Sequence, residues 1–149
     1  ADSPFIDADF VEDKIQKFLT FFDNFDYGST IIEPSYPIGM HVEIMKFDAL
    51  TRAHFQCTDI SLREHVTPYI YQNPKIFKLM SFRNDKDLSN MRLTIDYKED
   101  ILFANKLIDA LRSSNKNITY DNIIELVNSS AELTQINQHI YKSQKIEKS

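Results

Sequence analysis

The chain has 149 residues, 42% of them hydrophobic and 12% aromatic, enough for one domain with a real core and unlike a disordered segment. Lys and Arg total 17 against 22 Asp and Glu, a net charge of −5, so the surface offers no general attraction to nucleic acid polymers or to an anionic membrane. The single cysteine, Cys57, excludes an internal disulfide and points to a reducing, cytoplasmic setting, and no apolar run of about 18 residues marks a membrane span.

The chain opens Ala1-Asp2-Ser3-Pro4 without an initiator Met and reads like the interior of a sequence, so residues upstream of Ala1 are expected. No charged start followed by an apolar stretch reads as a signal peptide. Asp7 or Asp9 suits the cap of a first helix. Its apolar stripe is Phe10, Val11, Ile15, Phe18, Leu19 and Phe22, with residues 23–27 ending it. Residues 28–33 form a strand candidate, and Pro34, Pro37 and Gly39 make the next stretch a rigid loop. A second short strand is expected over 41–46 and a helix capped by Asp48 through about Gln56, followed by a connector over 57–60. Ser61-Leu62-Arg63-Glu64 matches a capping box. Pro68 fits the first turn of a helix over 67–72.

Alternation predicts strands over 76–83 and 91–96, the second ending at Asp96. From Lys98 a helix carries Ile101, Leu102, Leu107, Ile108 and Leu111 and stops at Ser113-Ser114-Asn115. Thr119 caps another helix, residues 131–141 form the last, and 142–149 read as a solvated tail. The expected division is a main body over 1–112 and a helical extension over 113–149.

Asp2 and Asp96 each stand where an apolar segment hands over to a helix, the place where open α/β sheets bind ligands. Two such carboxylates brought together suit a Mg²⁺ held against phosphate. Each also has a plain structural reading, Asp96 as a helix cap and Asp2 as a turn residue before Ser3-Pro4. Glu99 and Asp100 read as first-turn acids favoured by the helix dipole. His41 and Glu43 share one face of a strand and suit polar substrate groups; no third ligand at zinc spacing accompanies them. Arg63 and His65 are available to a cleft, where Arg suits bidentate binding of carboxylate or phosphate, or else a surface ion pair. Cys57 near His54 has no orienting acid and reads as an idle thiol.

Several strings then converge in order: Tyr36-Pro37-Ile38-Gly39-Met40-His41-Val42-Glu43-Ile44, Arg63-Glu64-His65-Val66-Thr67-Pro68-Tyr69-Ile70, and Leu88-Ser89-Asn90-Met91-Arg92-Leu93-Thr94-Ile95-Asp96 with Glu99-Asp100. Together with Ala1-Asp2-Ser3-Pro4-Phe5-Ile6-Asp7 and the late Ala131-Glu132-Leu133 and Ile136-Asn137, they resemble the cytidylyltransferases of the spore-coat-polysaccharide type. These are relatives of the enzymes that activate sugar acids as CMP conjugates. The resemblance implies an α/β chain with the Rossmann-like nucleotidyltransferase fold, here its C-terminal portion with a mixed sheet and C-terminal helices. It implies CTP and a nonulosonate-like sugar acid as substrates, Mg²⁺ as cofactor and a homodimer. By the same resemblance Asp2 and Asp96 match the catalytic, metal-holding carboxylates, and Glu43, Arg63, His65 and Arg92 fall near the substrate. The family's Gly- and Arg-bearing triphosphate loop has no counterpart in this sequence, which holds only 2 glycines. Two other readings stand beside this one: a non-catalytic remnant that pairs with itself or a partner, and a glycosyltransferase using a nucleotide-sugar donor.

Overall fold

The computed structural model describes residues 2–147, with side chains described through Ile140. In chain order the elements are α1 (Ala8–Thr20), a 3-10 turn (Phe22–Asn24), β1 (Tyr27–Ser29), β2 (Glu43–Met45), α2 (Phe47–Gln56), α3 (Ile60–Glu64), α4 (Pro68–Tyr71), β3 (Leu79–Ser81), α5 (Lys98–Ser113), α6 (Tyr120–Ser129) and α7 (Ala131–Glu147). They fall into two compact units, one of Ala1–Val11, Ser35–Met40 and Asn84–Ser149, the other of Glu12–Pro34 and His41–Arg83.

The second unit holds a three-stranded mixed sheet in the order β2-β1-β3. β1 pairs antiparallel with β2, setting Ser29 opposite Glu43, and parallel with β3. All three strands are shorter than the expected 28–33, 41–46 and 76–83, because local hydrogen bonds claim flanking backbone. Ser29 Oγ accepts the Ile31 N–H at 3.1 Å and turns the chain after β1. Asn73 O accepts the Ile76 and Phe77 N–H groups, tying the start of the expected third strand into a turn. Tyr27, Ala49, Ala53, Ile70 and Phe77 form one buried cluster, and Phe18, Met80 and Phe82 another.

Helix starts differ from expectation in two places. α2 begins at Phe47 with Lys46 at the cap position, and Asp48 lies in the first turn, bonded to Arg52 Nε at 2.8 Å. The cap of α3 is Asp59, which accepts the Ser61 N–H at 2.9 Å, so the expected Ser61–Glu64 capping box is not formed. On the α1 stripe Phe10 and Phe18 are buried, whereas Leu19 and Phe22 are exposed.

The first unit is built on α5, α6 and α7. Phe103, Leu107 and Leu111 of α5, Ile123 and Val127 of α6, and Leu133 and Ile140 of α7 are all buried. Asp7 joins this unit's N-terminal segment to α6: one carboxylate oxygen accepts the Phe10 N–H at 2.7 Å as the cap of α1, and the other accepts the Tyr120 N–H. Asn115, at φ +51, ends α5 in the left-handed region. α7 continues to Glu147, beyond the predicted end at 141, since residues 142–147 contain neither Gly nor Pro to stop it. The last two residues of the expected tail, 148 and 149, lie outside the described residues.

Residues 91–96 do not form the predicted strand. They make one isolated parallel bridge, Ile38 to Arg92, through Ile38 N–H to Met91 O (2.9 Å) and Leu93 N–H to Ile38 O (2.7 Å). The ladder goes no further because its next donors are taken, Met91 N–H by Leu88 O, Met40 N–H by Pro37 O and Ile95 N–H by Asp2 O, and because Gly39, at φ +96, turns the chain away. A Cβ on Gly39 would stand 2.7 Å from Thr94 N, so this close approach needs glycine.

Candidate functional site

Asp96 sits between this segment and α5, and the sequence around it builds a charge cluster. Arg92 is 3% exposed. Its Nη2 donates to Asp96 Oδ2 at 2.5 Å and to Asp100 Oδ2 at 2.8 Å, and its Nε donates to Asp100 Oδ1 at 2.9 Å. The guanidinium also lies 5.3 Å from the centre of the Tyr97 ring. Asp100, with no exposed surface, accepts the N–H groups of Asp96 (3.0 Å) and Tyr97 (3.1 Å), closing the first turn of α5. Asn137 of α7 donates its amide to Asp100 Oδ1 at 2.9 Å and to Arg92 O at 3.2 Å. Burial acts to raise the Asp100 carboxyl, but the Arg92 bond, the two N–H groups and the Asn137 amide outweigh it and hold Asp100 below the usual carboxylate range. Burial acts to weaken the Arg92 charge, and the two carboxylates more than restore it. One guanidinium and two carboxylates leave this cluster with one net negative charge.

The other N-terminal acid lies alongside. Asp2 O accepts the Ile95 N–H at 2.8 Å and the Thr94 hydroxyl at 2.9 Å, which pins the Asp2 backbone one residue before Asp96. Asp2 is exposed, and its Oδ1 accepts the Ser3 hydroxyl at 3.2 Å. Among the described residues, no donor is bonded to Asp96 Oδ1 or Asp2 Oδ2. Nor do the described residues include a group of three or more His, Cys, Asp and Glu suited to a metal ion. Two carboxylates without such a cage are the donor set of Mg²⁺ sites, where water and substrate phosphates complete the shell, so the residues fit that ion.

Glu43, Arg63 and His65 belong to the other unit. Glu43 points out of β2 between Val42, which is buried, and Ile44, which is half-buried. Its Oε1 accepts two hydroxyls, from Tyr27 and from Thr67 (2.9 Å), both on buried residues. Burial, and then the bond to Glu43, push the Tyr27 phenol well above its usual range, so it remains a donor. His65 is exposed. The Arg63 guanidinium closes the C-terminal end of α2: Nη1 donates to His54 O (2.7 Å) and Cys57 O (3.0 Å), and Nη2 lies 3.2 Å from His54 Nδ1. Cys57 is buried with its thiol 3.5 Å from Asp59 O.

Between His65 and Thr67 the backbone makes a tight turn, Thr67 N–H to His65 O at 2.7 Å, with Val66 at φ +66. A β-branched residue there is strained, and the strain sits in the segment that delivers Thr67 to Glu43. Sequence reasoning missed Tyr27, Thr67, Asp100 and Asn137. Two of them carried a signal: Asp100 shares a helical face with Phe103, Leu107 and Leu111, and Asn137 lies between Leu133 and Ile140 on another.

No family model matches the chain. It is 31% identical over 144 residues to an uncharacterised protein of Methanocaldococcus jannaschii, a match covering 93% of this chain and 55% of the relative. Its structure is similar to that of a cytidylyltransferase from Leptospira borgpetersenii serovar Hardjo-bovis, with a TM-score of 0.82 and 26% identity over 90% of this chain and 56% of that one. The chain therefore spans about half the length of the proteins it matches. The α/β architecture, a small mixed sheet with several helices, is close to that of a cytidylyltransferase. Among the described residues no helix is long and apolar enough to cross a membrane.

Proposed function

We propose that this chain works within a Mg²⁺-dependent cytidylyltransferase of the spore-coat-polysaccharide type, with the Rossmann-like nucleotidyltransferase fold. The reaction is attack of a hydroxyl of a nonulosonate-like sugar acid on the α-phosphorus of CTP, with pyrophosphate leaving. The observation that carries this reading is the likeness to a cytidylyltransferase over 90% of the chain. In it Asp2 and Asp96 hold the metal, which when bound supplies charge neutralisation on the triphosphate. The net negative charge around Arg92 favours a cation there. Arg92 binds no substrate in this reading; it fixes the Asp96 carboxylate. Glu43, oriented by two buried hydroxyls, accepts hydrogen bonds from sugar hydroxyls through its other oxygen, and the exposed His65 is a second substrate contact in this reading. Arg63 acts through the helix end that it closes. The test is CTP-dependent pyrophosphate release by the full-length product of the gene, assayed against a panel of sugar acids in Mg²⁺. Asp96→Ala is expected to lower turnover at least about a hundredfold, the scale of losing one charge-stabilising group; unchanged turnover would refute the assignment.

One observation favours a second reading, that the chain is an interaction module. Phe47, Phe55 and Ile60 are 81%, 78% and 84% exposed. Calorimetry separates the two: absence of CTP binding by the full-length product, with self-association retained, would favour the module.

A further inference from the structure

The Arg92 cluster contains more than the acid it presents. Asp100 binds Arg92 through both oxygens, and the same carboxylate accepts the N–H groups that open α5. That leaves Nη2 of Arg92 as the group that reaches out to Asp96. Asn137, 3% exposed, then ties Asp100 and the Arg92 carbonyl to α7. A buried ion pair contributes little net stability on its own, and a buried amide on a helix that otherwise presents Leu133 and Ile140 replaces an apolar side chain. What this arrangement does fix is direction: Nε and Nη2 of Arg92 are committed to Asp100 and Asp96, so the Asp96 carboxylate is held by Arg92 at one oxygen and open at the other. We propose that Asp100 and Asn137 are positioning residues for Asp96, acting through Arg92, so that the docking of α7 sets the geometry of this acid toward a divalent cation.

This inference rests on the metal role proposed for Asp96, and partners of metal-binding carboxylates typically govern affinity by 10–100-fold. The probe is Mn²⁺ alone, titrated into the full chain and followed by the electron paramagnetic resonance signal of the free ion, at a temperature where circular dichroism shows every variant folded. Asn137→Leu, of similar size without the donor, is expected to weaken Mn²⁺ binding about 10–100-fold. Asp100→Asn, with the same shape and no charge, is the second variant and is expected to do the same. Leu133→Ala, on the same face of α7 and outside the network, is expected to lower the melting temperature and leave the affinity unchanged. Equal weakening in Leu133→Ala would reduce Asn137 to a packing residue and overturn the proposal. Unchanged affinity in Asn137→Leu and Asp100→Asn, with binding lost in Asp96→Ala, would overturn the positioning role and leave the metal role standing. A wild-type affinity equal to that of Asp96→Ala would overturn both.

Discussion

Asp100 is the residue on which the first unit turns. Its carboxylate is wholly buried against a guanidinium that is itself 2% exposed. Removing one partner of such a pair costs about 3–5 kcal/mol, so Asp100→Asn is expected to lower the urea unfolding free energy by that amount at pH 7. The pH dependence follows from the depressed carboxyl. A group whose folded pKa lies below its unfolded value, about 3.9 for Asp, stabilises fully above that value and loses the contribution as pH falls through the folded one. Urea midpoints of the wild type are thus expected to fall steeply below about pH 4, and those of Asp100→Asn less so; parallel acid limbs would contradict the depressed carboxyl. In the sequence Asp100 reads as an ordinary first-turn acid, because helix position is legible from spacing but the guanidinium eight residues earlier is not. The apolar stripe on which it falls held the clue: an acid in register with Phe103, Leu107 and Leu111 must be buried and therefore paired.

Among the elements, the helices were legible in position and, α7 apart, in extent, whereas three of the strands were legible in position but not in length. α5, α6 and α7 begin where the sequence puts them, α6 at its Thr119 cap, although the cap position of α5 is Tyr97 and not Asp96, since each signal is local to about one turn. Strand length depends on partners elsewhere in the chain, and here Gly39, Ser29 and Asn73 end the pairing early. Two backbone features can be tested. Gly39→Ala meets both a positive φ and the backbone of residues 93–94, and is expected to destabilise by about 1–3 kcal/mol. Val66→Gly relieves a left-handed β-branched residue and is expected to stabilise by about 1 kcal/mol, read from urea midpoints. A loss of stability in Val66→Gly would mean that the valine side chain contributes more by packing than its backbone costs.

At the scale of the whole molecule, exposed apolar surface is the feature that asks for a partner. Phe47 and Phe55 lie on one face of α2 with Thr51 between them, and each phenylalanine covers about 150–250 Å² when buried. Two of them, with Ile60, supply a large part of the ~800 Å² per partner that a stable interface needs. We propose that this face pairs two copies of the chain, so Phe47→Glu with Phe55→Glu is expected to convert a dimer to a monomer in sedimentation equilibrium without changing its circular dichroism. A wild type that stays monomeric at tens of micromolar would contradict it. The resemblance that pointed to a cytidylyltransferase was carried by strings of residues rather than by periodicity, which is why a likeness to such a protein was legible before the strand lengths were.

In the proposed reaction Asp2 and Asp96 hold one divalent cation. Backbone NMR of the chain titrated with Mn²⁺ tests it most directly, because broadening reports which amides lie near the ion. The amides of Ser3 and Tyr97 are expected to broaden together at the lowest additions, and Asp96→Ala to abolish both effects. Broadening centred on other acids, with Ser3 and Tyr97 left sharp, would contradict it.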